Sequence, residues 1–304
     1  MDADLDTLVT ALYVKIDDAL QHAPELRPWR PAAGIAPKLT DAELLTLAVL
    51  QALLGYVSEA RWLRYARTHL RGLFPYLPRQ SGYNKRLRAA FPLLRYFVRA
   101  LATDTDLWDD PVWVADSTAI ECGRSRQTVK RSALAGWAGY GYCRSHTRYF
   151  WGLRLHLVTT LHGLPVAFAL ANPKTDEREV LVDLFDVEPG LLAERPGLVI
   201  LVDKGYRDAQ TEATLAKRGV TLLRPAYADE VPRPGQALFR PLRQLIESVN
   251  DTLKGQLDLE RHGGRTIEGV TVRVLQRLLA LTAALWHNHS TGQPVLRSLL
   301  AYDH

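Results

Sequence analysis

Two aspartates stand directly after short apolar runs that are typical of buried β-strands. Asp116 follows PVWVA and Asp203 follows LVILV, and each leads into a short polar segment. In a mixed α/β sheet, the loops at the carboxyl ends of strands open a crevice in which ligands bind. An aspartate at such a point can also simply cap the next turn. The pair therefore predicts a shared carboxylate site, with turn capping as the alternative for each residue.

A third acidic candidate lies on a late amphipathic helix, PLRQLIESVNDTLKGQL at 241–257. Its apolar side chains recur at helical spacing along one face. Beside them stand four charged residues of alternating sign at about one-turn spacing: Arg243, Glu247, Asp251 and Lys254. Such a face is ordinarily a solvated row of ion pairs. Periodicity alone does not separate that interpretation from a carboxylate held in place for chemistry.

The elements that would position these side chains begin near residue 109. Predicted strands and helices follow in the order β-β-β-α-β-α-β-α, and a long apolar helix comes last. Consecutive strands followed by alternating units are typical of an α/β fold, a mixed sheet flanked by helices. The acidic segment 103–111 is predicted as a joint. The predicted domains are therefore 1–108 and 109–304.

The first domain is predicted to be all helical, with a capping box at Thr40 and Glu43. Between Arg61 and Ala100 there are ten Lys or Arg and no Asp or Glu. A solvated helical face is the plain alternative, but such a run without an acidic neighbour favours a phosphate backbone as the counter-charge. The residues predicted to contact DNA here are Arg61, Arg64, Arg67 and Arg71, which recur every three or four positions, and Lys85 and Arg86.

The composition narrows the class of protein. The chain has 38 Lys and Arg against 33 Asp and Glu and is 47% hydrophobic, which is enough for a substantial core. Cys122 and Cys143 make neither a disulfide framework nor a zinc knuckle. The acidic N terminus does not resemble a signal peptide, and no uncharged apolar stretch of about 18 residues is found. These features predict a soluble, cytoplasmic protein.

A second basic segment, 122–151, is predicted as a loop. It holds six Lys or Arg and no acidic residue, with aromatic residues interleaved. Basic groups with aromatics are typical of proteins that grip distorted or single-stranded DNA. Trp137 and Tyr140, which lie between glycines, are the predicted exposed pair. The alternative is packing on the sheet, which we expect of Phe150 or Trp151.

Several short motifs resemble insertion-sequence transposases of the DDE class: ADST at 115–118, GLRLH at 152–156, NPKTD at 172–176 and VDKGY at 202–206. These transposases also carry a Tyr, Arg, Glu, Lys signature with two, three and six residues between successive members. Arg243, Glu247 and Lys254 match its last three members, and Arg240 stands at the tyrosine position. The resemblance covers most of residues 40–290.

The resemblance implies a ribonuclease H-like fold and an enzyme that binds the ends of its element, then cuts and joins DNA strands. It implies that Asp116, Asp203 and Glu247 hold two Mg²⁺ ions, or Mn²⁺, with Asp116 bridging both. Hard cations prefer such oxygen ligands, and two of them can stabilise the entering and leaving oxygens of a phosphodiester. The residues expected on DNA phosphates are Arg240, Arg243, Lys254 and Lys204.

The resemblance also implies partners. The substrate would be double-stranded DNA, both the terminal repeats and the target, and the protein would be nucleoid-associated. Paired ends predict a homodimer or a larger synaptic complex.

Other functions are open at this stage. A catalytically inactive DNA-binding relic is one alternative, because Arg240 departs from the signature, and a ribonuclease H-like host nuclease is another. A glycosidase with paired carboxylates is disfavoured by the basic run and by the absence of an aromatic sugar cleft. Cutting restricted to the element's ends would separate a transposase from each alternative.

Overall fold

The computed structural model describes residues 3–28, 36–143, 147–231, 239–295 and 299. Its helices, in chain order, are α1 (Ala3–His22), α2 (Asp41–Leu53), α3 (Glu59–His69), α4 (Gln80–Ala89), α5 (Phe91–Thr103), α6 (Arg126–Arg131), α7 (Glu177–Val187), α8 (Gly190–Ala193), α9 (Ala209–Ala216), α10 (Phe239–Asp251) and α11 (Ile267–Ser290). Its strands are β1 (Val112–Gly123), β2 (Gly139–Cys143), β3 (Arg148–Thr160), β4 (Pro165–Ala171), β5 (Val199–Leu201) and β6 (Thr221–Leu223).

The chain forms two compact units. The first comprises Met1–Leu101 and Thr252–His304, and the second Ala102–Asp251. This division differs from the predicted domains, 1–108 and 109–304, because α11 packs on α1 and α2. An apolar helix belongs to the unit against which it packs, and the position of the helix in the sequence does not decide which unit that is. The domain boundaries drawn from the sequence, 1–108 and 109–304, remain a prediction.

The first unit is helical and is built around α11. The capping box that begins α2 is present: the Thr40 hydroxyl accepts from the Glu43 amide, and the Glu43 carboxylate accepts from the Thr40 amide. In the described part of the chain, α11 alone has a length and composition that would let it cross a membrane. However, 89% of its most apolar window is buried inside the protein, as in a core helix.

The second unit holds a six-stranded mixed sheet in the order β2-β3-β1-β5-β6, with β4 also paired to β3. Strands β1 to β4 pair antiparallel, whereas β5 and β6 run parallel to β1. Helix α7 packs on β3 and β4, α9 on β6, and α10 on β1. The predicted mixed sheet flanked by helices is confirmed.

The segment 122–151 is not the uniform loop that its composition predicted. It contains α6 and β2, and β2 pairs with β3. The sequence of β2, GYGYC, alternates glycine with tyrosine, and an ideal Cβ on Gly141 would come within 2.6 Å of Pro173 and 2.8 Å of Phe150. Glycine therefore allows this edge strand to lie close against its neighbours, and its tyrosines take the opposite face.

Candidate active site

Asp116 lies inside a strand and not at its end, so this part of the prediction was wrong. β1 continues for seven residues to Gly123 because β3 pairs with it along that length. β5 pairs only with Val112–Val114 and ends at Leu201. On the side of β5, the pairing of β1 ends at Val114, two residues before Asp116, and the edge of β1 is open beyond that point. The crevice that was expected at the end of β1 is therefore formed where the shorter strand β5 ends.

Asp203 follows β5 and stands two residues beyond Leu201, as Asp116 stands two beyond Val114. The Asp203 carboxylate accepts a 2.7 Å hydrogen bond from the Gly205 amide and caps the 3-10 turn Lys204–Tyr206. Turn capping, the alternative considered for this aspartate, is therefore present. It occupies one carboxylate oxygen, Oδ1.

Glu247 lies on α10 with an exposed side chain. It lines the same cavity as Asp116, Asp203 and Lys204, together with apolar side chains such as Phe239, and the volume of this cavity is about 110 Å³. The structure thus brings the three predicted carboxylates to one cavity, although they are up to 131 positions apart in the chain. Their catalytic roles remain a prediction.

Asn250 is a contributor that the sequence reasoning missed. Its side-chain amide donates a 2.9 Å hydrogen bond to Oδ2 of Asp116 and so ties α10 to β1. It stands three residues after Glu247, and residues at that spacing share a helical face. The spacing from Glu247 was visible in the sequence, but a neutral amide beside an apolar stripe does not by itself indicate a functional residue.

The Asp116 carboxyl is electrostatically strained. Burial, together with the nearby carboxylates of Asp203 and Glu177, raises its pKa from 3.8 to about 6, although bonds from the Ser117 backbone and Asn250 oppose the rise. The same carboxylates surround Tyr206, whose burial raises its pKa well above the usual value. Negative charge is therefore concentrated at this point of the sheet.

This donor set suits a divalent cation. Carboxylate oxygens are the ligands that Mg²⁺ and Mn²⁺ prefer, and a cation would relieve the repulsion that raises the pKa of Asp116. In the described part of the chain, no three Asp, Glu, His or Cys side chains stand close enough together to hold a metal ion. The residues fit in their chemistry and in the cavity they share, and the ligand assignment stays a proposal.

The opposite face of the sheet carries a separate polar cluster. Ser117, the residue after Asp116, donates to Glu177, and the Arg154 guanidinium bonds to both. His156 pairs with Ser117 across the strands, whereas Asp116 pairs with Leu157. Because cross-strand partners share a face, His156 points away from the cavity.

The basic residues predicted around the site are placed differently from one another. Lys204 lines the cavity, and its ammonium lies 5.9 Å from the Tyr227 ring centroid. Arg240 and Arg243 lie on α10, but their side chains fall outside the described part of the structure. Lys254 lies in a π-helical turn, Thr252–Gln256, in the first unit. Their DNA contacts stay a prediction.

The predicted arginine row of the first unit is partly engaged in holding the fold. Arg61, Arg64 and Lys85 are exposed, and Arg71 lies past the end of α3. Arg67 donates to the Pro78 carbonyl at 2.6 Å.

Arg86 is engaged in the same way. It pairs with the buried Asp41 at 2.8 Å and also donates to the Leu39 carbonyl. An exposed arginine and one engaged with the fold are indistinguishable by spacing along a helix. The DNA contacts of this unit remain predictions.

The predicted aromatic pair is exposed. Trp137 has 58% and Tyr140 has 54% of its surface accessible, whereas Phe150 and Trp151 are buried, as expected. The role of the exposed pair in DNA binding remains a prediction.

Comparison with protein families gives one description, "Transposase DDE domain", which matches residues 107–283. Comparison with curated proteins and with solved structures gives no significant match. The family match covers β1, the segment around Asp203 and all of α10, which are the elements that form the cavity. The chain therefore belongs to the transposase DDE domain family, as its resemblance to insertion-sequence DDE transposases predicted.

Proposed function

We propose that this protein is a DNA transposase that binds the ends of an insertion sequence and catalyses metal-dependent strand cleavage and strand transfer. One observation carries the proposal: Asp116, Asp203 and Glu247 line a single cavity in a chain of this family. Negative charge gathered on oxygen ligands is what a phosphodiester reaction with bound divalent cations requires.

DDE transposases use divalent metals, typically Mg²⁺. Here Asp116, Asp203 and Glu247 would hold two such ions, Mg²⁺ or Mn²⁺. When bound, the ions would stabilise the charge on the entering and leaving oxygens. Asn250 would keep Asp116 oriented, and Lys204 would meet a phosphate at the cavity.

The arrangement of the carboxylates supports a ribonuclease H-like assignment for the second unit. With the short β2 set aside, Asp116 lies on the first strand, Asp203 follows the fourth, and Glu247 lies on a late helix. This is the arrangement on which the sequence-based expectation rests. The order of the sheet, an antiparallel group joined to two parallel strands, supports it as well.

DNA binding would extend beyond the cavity. We assign the helical region 1–108 a DNA-binding role through its exposed basic residues, Arg61, Arg64, Arg71 and Lys85, and α10 a phosphate-binding role through Arg240 and Arg243. Two element ends must be held together for transfer, so the active form would be a homodimer or a larger synaptic complex. It would work at the nucleoid.

The test is cleavage of a labelled duplex carrying the ends of the element that encodes this chain, beside a scrambled duplex, with Mg²⁺, with Mn²⁺ and without either. We expect cutting at the element's ends only, and only with metal. Cutting of both duplexes alike would indicate a general nuclease. Binding without cutting under either metal would indicate a DNA-binding relic.

Two variants make this test specific to the cavity. Asp116→Asn is expected to bind the ends and not to cut them. Asp186→Asn removes an exposed carboxylate on α7 that pairs with Arg218, and it is expected to cut like the parent protein. Equal cutting by the parent protein and Asp116→Asn would overturn the assignment.

A further inference from the structure

An exposed aromatic surface lies at the far end of the sheet from the cavity. Trp137, Tyr140, Tyr142 and Tyr149 have 58%, 54%, 39% and 77% of their surface accessible, and they form what we call the aromatic surface. The Tyr142 and Tyr149 rings are 5.1 Å apart in an edge-to-face arrangement. Exposed rings gathered in this way usually mark a binding site.

The backbone beneath this surface is firmly held. Gly139 and Gly141 alternate with the tyrosines of β2, and an ideal Cβ on Gly139 would lie 2.6 Å from Asn172. The Asn172 amide donates to the Trp137 carbonyl at 3.0 Å. The packed side of β2 therefore fixes the strand, and its tyrosines are presented outward on a rigid element.

The aromatic surface shares a sheet face with the predicted catalytic carboxylate. Tyr142 pairs with Tyr149, and residues of β3 at odd positions from Tyr149 to Leu157 take one face. Leu157 is the cross-strand partner of Asp116. Along β3, Tyr149 is eight residues from Leu157, and Trp151, the cross-strand partner of Tyr140, is six residues from it. At about 3.3 Å per residue, these separations are roughly 20–26 Å.

The neighbouring charges favour a polyanion as the occupant. Exposed basic side chains follow β1 directly, at Arg126, Lys130 and Arg131, whereas Arg124 and Arg148 pair with Glu121. Residues 122–151 include no Asp or Glu. An aromatic ring beside basic groups binds unpaired bases by stacking, whereas bases in an intact duplex have no free face.

We propose that the aromatic surface stacks unpaired bases of DNA whose cleavage point lies at the cavity. The proposal rests on the proposed function. It adds that the bound bases are unpaired, and it gives their distance from the cavity. Within a duplex one strand rises about 3.4 Å per nucleotide, and an unpaired strand can extend further, so the stacked bases would lie at most roughly six to eight nucleotides from the cleavage point.

The test measures binding of the full chain to a duplex end with a single-stranded extension of increasing length, in EDTA so that nothing is cut. We expect affinity to rise about tenfold at an extension of no more than roughly six to eight nucleotides. An extension of the same length without bases keeps its phosphates and is expected to lose the gain. If the abasic extension binds equally well, the contact is electrostatic and the proposal is wrong.

Paired variants identify the rings. The double variant Tyr142→Leu with Tyr149→Leu is expected to lose most of the gain, whereas the matched double change to Phe keeps the rings and the gain. Both are expected to bind a blunt duplex end as the parent protein does. Equal losses for the Leu and Phe pairs, or a loss on blunt DNA as well, would overturn the proposal.

Two further results separate this proposal from others. If the Leu pair changes the sedimentation of the protein without DNA, the aromatic surface is an interface between copies of this chain, and the proposal is wrong. If the parent protein fails to bind any duplex end, the proposed function itself fails. Binding of blunt ends without a gain from the extension overturns only the stacking proposal.

Discussion

Two clusters of charged groups in the second unit shift the pKa of their carboxyl groups in opposite directions. After β6, Arg224 is 2% exposed and bonds Glu230 through two 2.7 Å contacts and Glu212 through a third of 3.1 Å. These bonds lower the pKa of Glu230 to about 2. In the cavity, by contrast, Asp116 is bonded by a neutral amide and its pKa rises to about 6.

The contrast separates a structural role from a functional one. Carboxylates around Arg224 are neutralised by a cation that the chain itself supplies, so they contribute to the fold. The carboxylates at Asp116 repel each other, which costs stability and is relieved by a cation from outside. Perturbed carboxyl groups of the second kind are typical of functional sites. Four substitutions test this comparison.

The largest effect is expected on catalysis. Asp116→Asn should reduce metal-dependent cleavage of element ends by about a thousandfold or more, because a neutral amide does not hold the charge of a divalent ion. Single-turnover cleavage of the labelled duplex measures this rate. Arg224→Leu, assayed well below its unfolding temperature, should retain cleavage. A similar loss in both variants would remove the distinction between the two clusters.

The next effect concerns stability at the other cluster. Arg224→Leu should lower the free energy of unfolding by about 2–3 kcal/mol, somewhat less than for a fully buried pair, because Glu230 and Glu212 are partly exposed and can turn to water. Denaturant titration measures it. Arg218→Leu, which breaks an exposed pair with Asp186, is the control and should cost less than about 1 kcal/mol.

Stability should respond to Asp116 in the opposite direction. The pKa of this carboxyl is raised from 3.8 to about 6 in the fold, so its ionisation opposes folding as the pH rises through that window. Without metal, Asp116→Asn should therefore be more stable than the parent protein by about 1–2 kcal/mol near pH 7.5, and the gain should vanish near pH 4. Thermal unfolding at both pH values measures this. A variant less stable than the parent at both values would contradict the prediction.

The smallest effect is expected at Asn250. Asn250→Ala removes the bond to Asp116 and should cost about 1 kcal/mol of stability without metal. Because that bond favours the ionised carboxyl, the pKa of Asp116 should rise further. Mg²⁺ binding, followed by the shift in unfolding temperature, should then weaken more at pH 6 than at pH 8. An equal change at both pH values would indicate that Asn250 acts on packing alone.

Much of the fold followed from local patterns. Thr40 with Glu43 marked the start of α2, the order of strands and helices after residue 109 was largely right, and the apolar run of α11 marked a long helix. The errors fell where long-range pairing decides. β1 runs past Asp116 because β3 supplies partners, and β2 forms inside a basic segment because it too pairs with β3, where Gly141 allows close contact with Phe150 and Pro173.

The candidate site divides in the same way. Residue type and spacing selected Asp116, Asp203 and Glu247, with the family signature supplying the third. Spacing did not distinguish Arg64, which is exposed, from Arg86, which is engaged with Asp41. Asn250 was missed because its importance lies in one contact with a residue 134 positions away.

By itself the sequence determined most of the helices and strands, the chemical character of the three carboxylates and the family of the protein, because each depends on local composition and short motifs. Only the tertiary structure decided that β5 ends before Asp116 and opens the edge of β1, that Asn250 reaches Asp116, and that the tyrosines of β2 face outward on the side of the cavity. These outcomes depend on which distant segments pair and pack. That choice minimises a free energy summed over the whole unit, and no local stretch of residues contains it.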